Sequence, residues 1–468
     1  MKRLLSTCAA GALVVSSSIL TTQPAQAAEP PSYSVMLLQP VPGYPESEAF
    51  GLNDAGDVVG SSVSSTHGVS TRWTSRSSRG VDLGIDGTPV DISGSGVILA
   101  SGPYWYENGS VTAMQLPGEE SVFARGLSEN GVALLQNSSG VGYTATGPDE
   151  LTALAPPAGT KAAQAMSISP NGRFVAGQVT SENGAGRPTL WVDGTAKFLR
   201  SETGSQLNEM NAVNDHGTSL ECRAVDSRPH PTIRGTRVFS APDEFTELEP
   251  LAGVKGTCGQ VINNAGVIAG GAGQQPAVWI DGEAYALNSL VPRRTGFALQ
   301  TVSDINASGQ LVGMATLDDG SKRGYIATPS TAETIYTAPG YHDFNGRAWK
   351  TTCEPYSRTT RCRTEIVATQ VQYKNGGYSR VTDWAFNNLT YTPSPRSLWA
   401  RNPLGNTGEW TADDGRKWRT ECDTPTTGKN GCRSYVFARV ADATPKPGGG
   451  YTYTVDSMWV FNNMVKFG

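Results

Sequence analysis

The amino-acid sequence predicts an all-β protein, a seven-bladed β-propeller followed by two small disulfide-bonded β modules. A short turn motif recurs seven times at intervals of 35 to 49 residues, a period typical of propellers and solenoids. The 468 residues include 54 Gly and 29 Pro, and only 17% are charged, which favours turn-rich β structure. The seven cysteines include six beyond the N-terminal segment, the even number expected of disulfide-bonded proteins.

Residues 1–27 have the pattern of a secretory signal peptide. A basic start precedes an interrupted apolar region, Leu4 to Leu20, and the small-x-small cleavage pattern Ala25-Gln26-Ala27. Cys8 lies before most of the apolar region, so we do not expect lipidation there. No other apolar run is long enough to span a bilayer. We therefore expect a secreted, extracellular protein with oxidised cysteines.

The turn motif defines a repeat region from residue 33 to residue 328. In the first copy, Asn53-Asp54-Ala55-Gly56 separates two runs of β-forming residues, as in a hairpin whose last turn residue adopts positive φ. An aromatic or apolar strand follows, such as Arg72-Trp73, and then a short strand that ends near a leucine. Four short strands in about 40 residues match one propeller blade. The seven copies end at Gly56, Gly96, Gly131, Gly172, Gly217, Gly266 and Gly309.

This repeat resembles the bacterial extracellular HAF repeat over residues 49–328. The resemblance rests on the apolar-Asn-Asp/Asn-x-Gly turn, the aromatic-Trp-x-x-Gly segment and the final leucine. It implies secretion and a propeller-like fold, and it carries no established reaction. The third and fifth copies have Tyr143 and Phe239 in place of tryptophan, so irregular blades are expected there.

The ends of the repeat region suggest how the ring closes. Tyr33 to Leu38 reads as a fourth strand without a hairpin before it, whereas the seventh copy stops after its third strand at Ile326. We predict that the N-terminal strand completes the last blade and leaves few exposed edges. The segment from Glu333 to Thr337 is the alternative strand for this place.

Three disulfides are predicted. The first joins neighbouring copies across 36 residues, and a loop of that length gives roughly 4 kcal/mol on the chain-entropy model. The other two cross hairpins in the tail, where no histidine or further cysteine is near enough to complete a zinc site. The predicted pairs are Cys222 with Cys258, Cys353 with Cys362, and Cys422 with Cys432.

A second duplication follows a linker at residues 329–340 and predicts two modules, 341–392 and 398–468. The matched positions are Trp349 and Trp418, Cys353 and Cys422, Cys362 and Cys432, and Trp384 and Trp459. The Trp-Arg-Thr-Glu-Cys and Trp-Val-Phe-Asn-Asn motifs resemble C-terminal modules of secreted actinobacterial proteins. The resemblance implies an association with the cell surface or cell wall.

Most of the basic excess and of the tryptophan lies in the tail, residues 341–468. The tail has 17 Lys+Arg against 11 Asp+Glu, whereas residues 29–340 have 18 against 31, so an anionic polymer should be attracted by the tail. The four duplicated tryptophans are assigned to the small cores of the modules, with stacking on sugars as the alternative. Trp399 and Trp410 have no tryptophan counterpart in the first module, and we predict that they are exposed and bind ligand.

The sequence contains no recognised catalytic motif, and we expect no cofactor. Gly-x-Ser-x-Gly, Walker A and His-Glu-x-x-His patterns are all missing. The segment from Asp304 to Gly309 copies the first half of a calcium loop, but Ala315 stands where the bidentate carboxylate belongs, so no metal is expected. The mature chain has four histidines, His67, His216, His230 and His342, and His216 falls at a repeat turn position.

These observations favour a secreted, non-catalytic binding protein. The propeller would be a scaffold for a ligand or a protein partner, and the basic, Trp-rich tail would contact a cell-wall polymer or an extracellular glycan. The alternative is an extracellular polysaccharide lyase or hydrolase, with a site at the propeller mouth built from scattered Tyr, Arg and carboxylate side chains. Nucleic acid is not an expected partner because the basic excess is modest.

Overall fold

A computed structural model of the chain shows six antiparallel sheets of four strands that follow one another in sequence. The structure describes residues 32–468 except 76, 117–121, 183–185, 201–207, 225–233, 293–295, 331–333, 345–346, 375 and 428–429. The signal-peptide assignment at 1–27 and His230 lie outside the described residues. Within the described part of the chain, no helix is long and apolar enough to cross a membrane.

Each of the six sheets contains one copy of the turn motif between its first and second strands. The first sheet has β2 (Glu46–Leu52), β3 (Val58–Val63), β4 (Gly68–Trp73) and β5 (Val81–Asp82), and the second has β6 (Pro89–Ile92), β7 (Ile98–Ala100), β8 (Tyr104–Glu107) and β9 (Ser110–Ala113). The third has β10 (Val122–Leu127), β11 (Ala133–Asn137), β12 (Gly142–Ala145) and β13 (Leu151–Ala153), and the fourth has β14 (Thr160–Ile168), β15 (Phe174–Ser181), β16 (Gly186–Val192) and β17 (Thr195–Phe198). The fifth has β18 (Asn208–Val213), β19 (Ser219–Ala224), β20 (Arg234–Ala241) and β21 (Glu244–Glu247), and the sixth has β22 (Thr257–Ile262), β23 (Ile268–Ala272), β24 (Gln275–Ile280) and β25 (Glu283–Ala286).

The backbone confirms the turn prediction in all seven copies. The closing glycines have φ between 75° and 88°, a region that side chains with a Cβ rarely adopt. The expected irregularity of the third and fifth blades is wrong, because both form complete four-stranded sheets. Phe239 is 1% exposed and fills the core position that tryptophan takes in other copies, such as Trp191 and Trp279.

The seventh copy does not form a separate sheet. Its strands, β26 (Phe297–Leu299), β27 (Asp304–Ile305), β28 (Leu311–Leu317) and β29 (Lys322–Pro329), belong to a sheet of 13 strands that continues into the tail. The protein therefore has a propeller-like, all-β arrangement with six separate four-stranded blades. The prediction of a seventh separate blade and of independent tail modules is wrong, because both belong to the sheet of 13 strands. Backbone pairing across β1 connects the two regions, so the tail is not clearly separate.

The N-terminal strand closes the ring as predicted. β1 (Tyr33–Leu38) pairs with β29 along its whole length, from Tyr33 opposite Pro329 to Leu38 opposite Gly324. The alternative strand is not formed, because Thr334–Tyr336 adopt a 3-10 helix. Gly324 also donates its N–H to Ser47 Oγ of the first blade (3.1 Å), so the seventh copy contacts the first.

A buried belt of asparagines at the first turn position joins neighbouring blades. The Nδ2 of Asn214 donates to the carbonyl oxygen of Asn263 (3.1 Å), and Asn263 donates in the same way to Asn306 (3.2 Å). The belt continues from Asn306 to Asn53 (3.1 Å) and from Asn53 to Ser93 (3.0 Å). In the second, third and fourth copies the position is serine, whose Oγ accepts an N–H within its own turn. The belt is therefore continuous only from the fifth copy, through the sixth, seventh and first copies, to the second.

The tail repeats one strand pattern twice. The first copy has β30 (Gly340–Phe344), β31 (Arg347–Tyr356), β32 (Thr359–Lys374) and β33 (Gly377–Ser394), and the second has β34 (Gly408–Thr411), β35 (Lys417–Cys422), β36 (Gly431–Pro445) and β37 (Tyr451–Phe467). Short 3-10 helices occur at Leu287–Ser289, Thr334–Tyr336, Arg396–Trp399 and Pro403–Gly405. The last strands of the two copies, β33 and β37, pair in parallel and join the copies into one sheet.

The structure contains three disulfides, and they are the pairs predicted from the sequence. Cys222 on β19 is bonded to Cys258 on β22, which links the fifth and sixth blades. In the tail, each remaining pair joins directly opposed residues of the second and third strands of its copy, Cys353 with Cys362 and Cys422 with Cys432. These bonds reinforce hairpins whose modules have small cores.

Candidate functional site

A central channel of about 430 Å³ is lined by the first strands of the blades and by residues 303–307 of the seventh copy. Each first strand of the six separate blades has a β-bulge shortly before the turn. A bulge adds one residue to a strand and redirects the side chains around it. The added residues line the channel, and they are Phe50, Val90, Arg125, Met166, Asn211 and Gln260.

Two aspartates occupy equivalent positions in the channel wall, in the second and seventh copies. The Oδ2 of Asp304 accepts the N–H of Leu52 in the first blade (2.8 Å), and the Oδ2 of Asp91 accepts the N–H of Leu127 in the third blade (3.3 Å). Each Oδ1 accepts the N–H of the following residue, at 2.7 Å and 2.8 Å. Each carboxyl group therefore connects its own blade to the next one around the ring.

Burial raises the pKa of both channel aspartates. It raises the pKa of Asp304 to about 7, although the hydrogen bonds from two backbone N–H groups act in the opposite direction. Burial, followed by the charge of Asp304, raises the pKa of Asp91 well above its usual range. Gly51 leaves room for Asp91, because a Cβ at that glycine would lie 2.7 Å from Asp91 Oδ1.

A second group of carboxylates lies at the turns around the channel. The Oε1 of Glu129 accepts the N–H of Asp54 (3.2 Å), whose own Oδ1 accepts the N–H of Ala307 (2.8 Å). The Oδ2 of Asp215 accepts from Asn264 Nδ2 (2.7 Å). Burial and the charge of Asp54 raise the pKa of Glu129. Asp54 and Asp215 therefore connect neighbouring copies, whereas Glu129 connects the third copy to the first. No group of three or more His, Cys, Asp or Glu side chains in the described residues suits a metal ion.

One of the two tryptophans predicted to bind ligand is buried. The expected exposure of Trp399 is wrong, because only 6% of the residue is exposed and its ring packs edge-on against Tyr391 at 5.0 Å. Its Nε1 donates to Ser394 Oγ (3.0 Å), so the loop that carries it covers a core. Trp410 is partly exposed and stacks on Trp418, with ring centres 5.4 Å apart and planes 7° from parallel.

Only one of the two duplicated tryptophan pairs lies in the core. Trp349 and Trp418 are 9% and 7% exposed, which confirms their assignment. Trp384 and Trp459 are only partly buried, so assigning them to the core is wrong. They point to the other side of the sheet because successive residues of a strand alternate between its two faces.

Each tail copy therefore has two chemically different faces. We call the side that carries Cys362 or Cys432 the inner face of its copy and the opposite side the outer face. The outer face of the first copy presents Lys350, Arg363, Trp384 and Phe386, and that of the second presents Arg419, Arg433, Tyr435, Phe437, Trp459 and Phe461.

Arginines lie over aromatic rings at the same place in both copies. The guanidinium carbon of Arg363 is 4.6 Å from the centre of the Phe386 ring, and that of Arg433 is 5.3 Å from Phe461. Such contacts hold the guanidinium in one orientation and leave its edge free to donate hydrogen bonds. The Nη2 of Arg363 already donates to Glu365 Oε1 (3.2 Å), so one edge of this guanidinium is occupied, and 48% of the side chain is exposed.

Further contacts distinguish the two outer faces. In the second copy, Arg419 lies between Tyr435 and Trp459, at 5.2 Å and 5.3 Å from their ring centres. Phe437, which packs edge-on against Trp459 at 5.2 Å, is 42% exposed. In the first copy a surface cavity of about 380 Å³ lies beside Arg363, and it is lined by Thr352, Cys353, Glu354, Arg361, Arg363 and Leu389.

The arginines and aromatic residues of the outer faces were missed at the level of sequence. The signal was present in Cys432-Arg433-Ser434-Tyr435-Val436-Phe437, where every second residue is arginine or aromatic. Because Cys432 is expected to be buried in a disulfide, Arg433, Tyr435 and Phe437 must point to the other face of the strand. This two-residue period can be recognised in the sequence alone.

Comparisons with known proteins give only distant similarities. No protein-family model matches the sequence, and no curated protein matches it significantly. YCF48 from Cyanidioschyzon merolae is 11% identical with a TM-score of 0.41, and the match covers 63% of this chain and 98% of that one. YCF48 bound to D1 peptide is 15% identical (TM-score 0.40, 64% and 97% covered), and a gluconolactonase from Xanthomonas campestris is 10% identical (0.34, 66% and 99%). Likeness at this level carries no conclusion about function, and the HAF-repeat resemblance stays a prediction.

Proposed function

We propose that this chain is an extracellular, non-catalytic binding protein whose tail contacts a polysaccharide with a carboxylate on each sugar. The observation that carries the proposal is the pair of equivalent arginines, Arg363 and Arg433, each held over an aromatic ring on an outer face. A guanidinium matches the planar geometry of a carboxylate, and neighbouring rings offer apolar surface to sugar rings. Three disulfides fit an extracellular location.

The charge distribution supports the tail as the contact region. Its 17 basic and 11 acidic residues give a formal charge of +6, whereas 18 basic and 31 acidic residues give −13 for residues 29–340. A polyanion is therefore attracted to the tail and repelled by the propeller, which serves as a rigid scaffold. Secretion through a signal peptide and association with the cell wall belong to this proposal as predictions.

The test measures binding of the full-length protein to immobilised polygalacturonate, with a neutral glucan as the comparison polymer. We expect binding to the polyuronate only. Each charge-assisted hydrogen bond contributes about 1.5–3 kcal/mol, so the double variant Arg363→Ala/Arg433→Ala should bind at least about tenfold more weakly. Arg401→Ala is the matched control, because it removes an exposed arginine outside both outer faces.

Varying the salt concentration distinguishes the ionic contacts of the arginines from the stacking contacts of the aromatic rings. Attraction between exposed charges weakens as the Debye length falls from about 10 Å at 0.1 M salt to about 3 Å at 1 M. Binding that survives high salt should depend on the aromatic rings and fall in Trp459→Ala. Equal binding to the neutral glucan, or equal losses in Arg401→Ala and the double variant, would contradict the proposal.

A polysaccharide lyase or hydrolase with its site in the propeller channel is the second candidate. It is favoured by Asp91 and Asp304, two carboxyl groups with raised pKa in one cavity, a feature of many acid–base sites. A panel of neutral and acidic polysaccharides is incubated with the protein and assayed for new reducing ends and unsaturated products. Product formation that disappears in Asp304→Asn would support the enzyme, and products that persist in this variant would exclude the channel as their source.

A further inference from the structure

The parallel pairing between β33 and β37 determines how the two outer faces are oriented. Leu389 lies opposite Asn463, and Tyr391 lies opposite Val465. Residues directly opposed in neighbouring strands point to the same side of the sheet. Equivalent positions can therefore be compared directly across the junction between the two copies.

The two copies pair with an offset of one residue. Phe386-Asn387-Asn388-Leu389 matches Phe461-Asn462-Asn463-Met464 in sequence, so the counterpart of Leu389 is Met464, whereas its pairing partner is Asn463. Because side chains alternate along a strand, an offset of one exchanges the two faces.

Side-chain burial agrees with this exchange. Leu389 is opposed to Arg363 and belongs to the outer face of the first copy. Asn463 is opposed to Ser434, and both are buried on the inner face of the second copy, at 5% and 1% exposure. At this junction the outer face of one copy therefore continues into the inner face of the other, and Arg363 and Arg433 lie on opposite sides of the sheet. Toward the ends of the long hairpins the two outer faces turn toward each other, where Tyr378 stacks on Tyr453 at 5.5 Å and Arg380 lies over the Tyr451 ring at 4.2 Å.

Each inner face is covered by the segment that precedes its own copy. Ile335 packs with Trp349 and Ile366 on the inner face of the first copy. Trp399 packs with Cys432 and Val465 on the inner face of the second. At the junction, one inner face on each side of the sheet is closed by a cap, and the neighbouring outer-face arginine is exposed in the case of Arg363 and partly exposed in the case of Arg433.

Resting on the proposed function, we infer that the tail is a bivalent cross-linker that binds two separate acidic polysaccharide chains, one on each side of its sheet. The equivalent contacts at Arg363 and Arg433 supply one binding site per side. A short oligosaccharide cannot reach both sites because the sheet lies between them. A long polymer with many carboxylates is instead joined to a second chain through the protein.

Two measurements on the full-length protein test this inference. Calorimetric titration with hexagalacturonate should give two sites per chain in the wild type and one site in each of Arg363→Ala and Arg433→Ala. Light scattering with long polygalacturonate should rise to a maximum at an intermediate protein-to-polymer ratio and fall at excess, as cross-linking requires. Each single variant should lose the scattering maximum and still be retained on immobilised polymer, whereas Arg401→Ala should behave like the wild type.

The outcomes distinguish this inference from the proposed function. One hexamer per wild-type chain, or a scattering maximum that persists in both single variants, would overturn the cross-linking and leave binding by the tail intact. Absence of any polyuronate binding would overturn both. Thermal melting of each variant distinguishes a lost site from lost folding, and we expect Arg363→Ala to melt as the wild type does because Arg363 keeps 48% of its side chain exposed.

Discussion

Two substitutions of Asn263, a member of the interblade belt, distinguish how much the hydrogen bonds within a turn and those between blades contribute to stability. Asn263 is 3% exposed, and its Nδ2 donates to the carbonyl oxygen of Asn306 in the next copy (3.2 Å). Its Oδ1 accepts the N–H of Val267 (3.0 Å) and of Ala265 (3.1 Å) within its own turn. Asn263→Ala removes both functions, whereas Asn263→Ser keeps an acceptor for the turn, as Ser93 does for Val97 (3.1 Å).

The expected losses follow from these contacts. A net hydrogen bond contributes about 0.5–1.5 kcal/mol, and a buried donor left without an acceptor costs about 1–3 kcal/mol. Asn263→Ala should therefore lower the free energy of unfolding by about 2–4 kcal/mol. Asn263→Ser loses mainly the interblade bond and should lower it by about 1 kcal/mol.

Hydrogen exchange reports on the hydrogen bonds within the turn, and urea unfolding measures the total loss of stability. Exchange at the amide of Val267 should accelerate strongly in Asn263→Ala and little in Asn263→Ser, while both variants shift the urea midpoint. Ser128→Ala, which removes an acceptor for the N–H of Val132 (2.8 Å), is the matched control. Equal destabilisation by alanine and serine at position 263, or a loss below about 0.5 kcal/mol in both, would refute this account of the belt.

Three other changes have expected outcomes. Burial lowers the pKa of His342 to about 4, so the wild type should lose stability relative to His342→Gln as pH falls from about 6.5 to about 4, measured by urea unfolding at several pH values. Burial raises the pKa of Asp304 to about 7, so ionisation of this group should lower the free energy of unfolding as pH rises from about 4 to about 7. In the same urea measurement, the free energy of unfolding of Asp304→Asn should fall less over this range than that of the wild type. Replacing Cys222 and Cys258 together by serine should lower the free energy of unfolding by up to about 4 kcal/mol and separate the fifth and sixth blades in proteolysis, and an unchanged urea midpoint would contradict this.

The turn motif predicted the blades well because it encodes local geometry. A closing glycine at positive φ depends on a few neighbouring residues of the turn, and all seven copies adopt this conformation. The extent of the last sheet could not be predicted in this way. β1 offers hydrogen-bonding groups on both edges, and its pairing with β30 at Val35 depends on the tail, far away in sequence.

The channel aspartates were hidden for a different reason. Asp91 and Asp304 both lie five residues before the closing glycine of their copies, so the repeat aligns them, but the alignment does not show which groups their carboxyl oxygens contact. The calcium-loop comparison reached Asp304, but it assigned the side chain to the turn. In the structure this carboxyl group accepts an N–H of the first blade, which only ring closure brings near.

The tail tryptophans show that the number of aromatic residues in a segment predicts their exposure less well than their alternation along the strand does. Trp384 lies one residue before the buried Ala385, so it must point away from the core, while Trp399 lies in a segment whose packing depends on the cap. The identity of a residue says little about its side of a sheet, whereas its offset from a known inner residue decides it. The same rule sets the function proposed for the tail. A pairing offset of zero between β33 and β37 would put Arg363 and Arg433 on one side, as two contacts for a single polymer chain. The observed offset of one puts them on opposite sides, so duplication of the module produces two separate sites in place of one longer site.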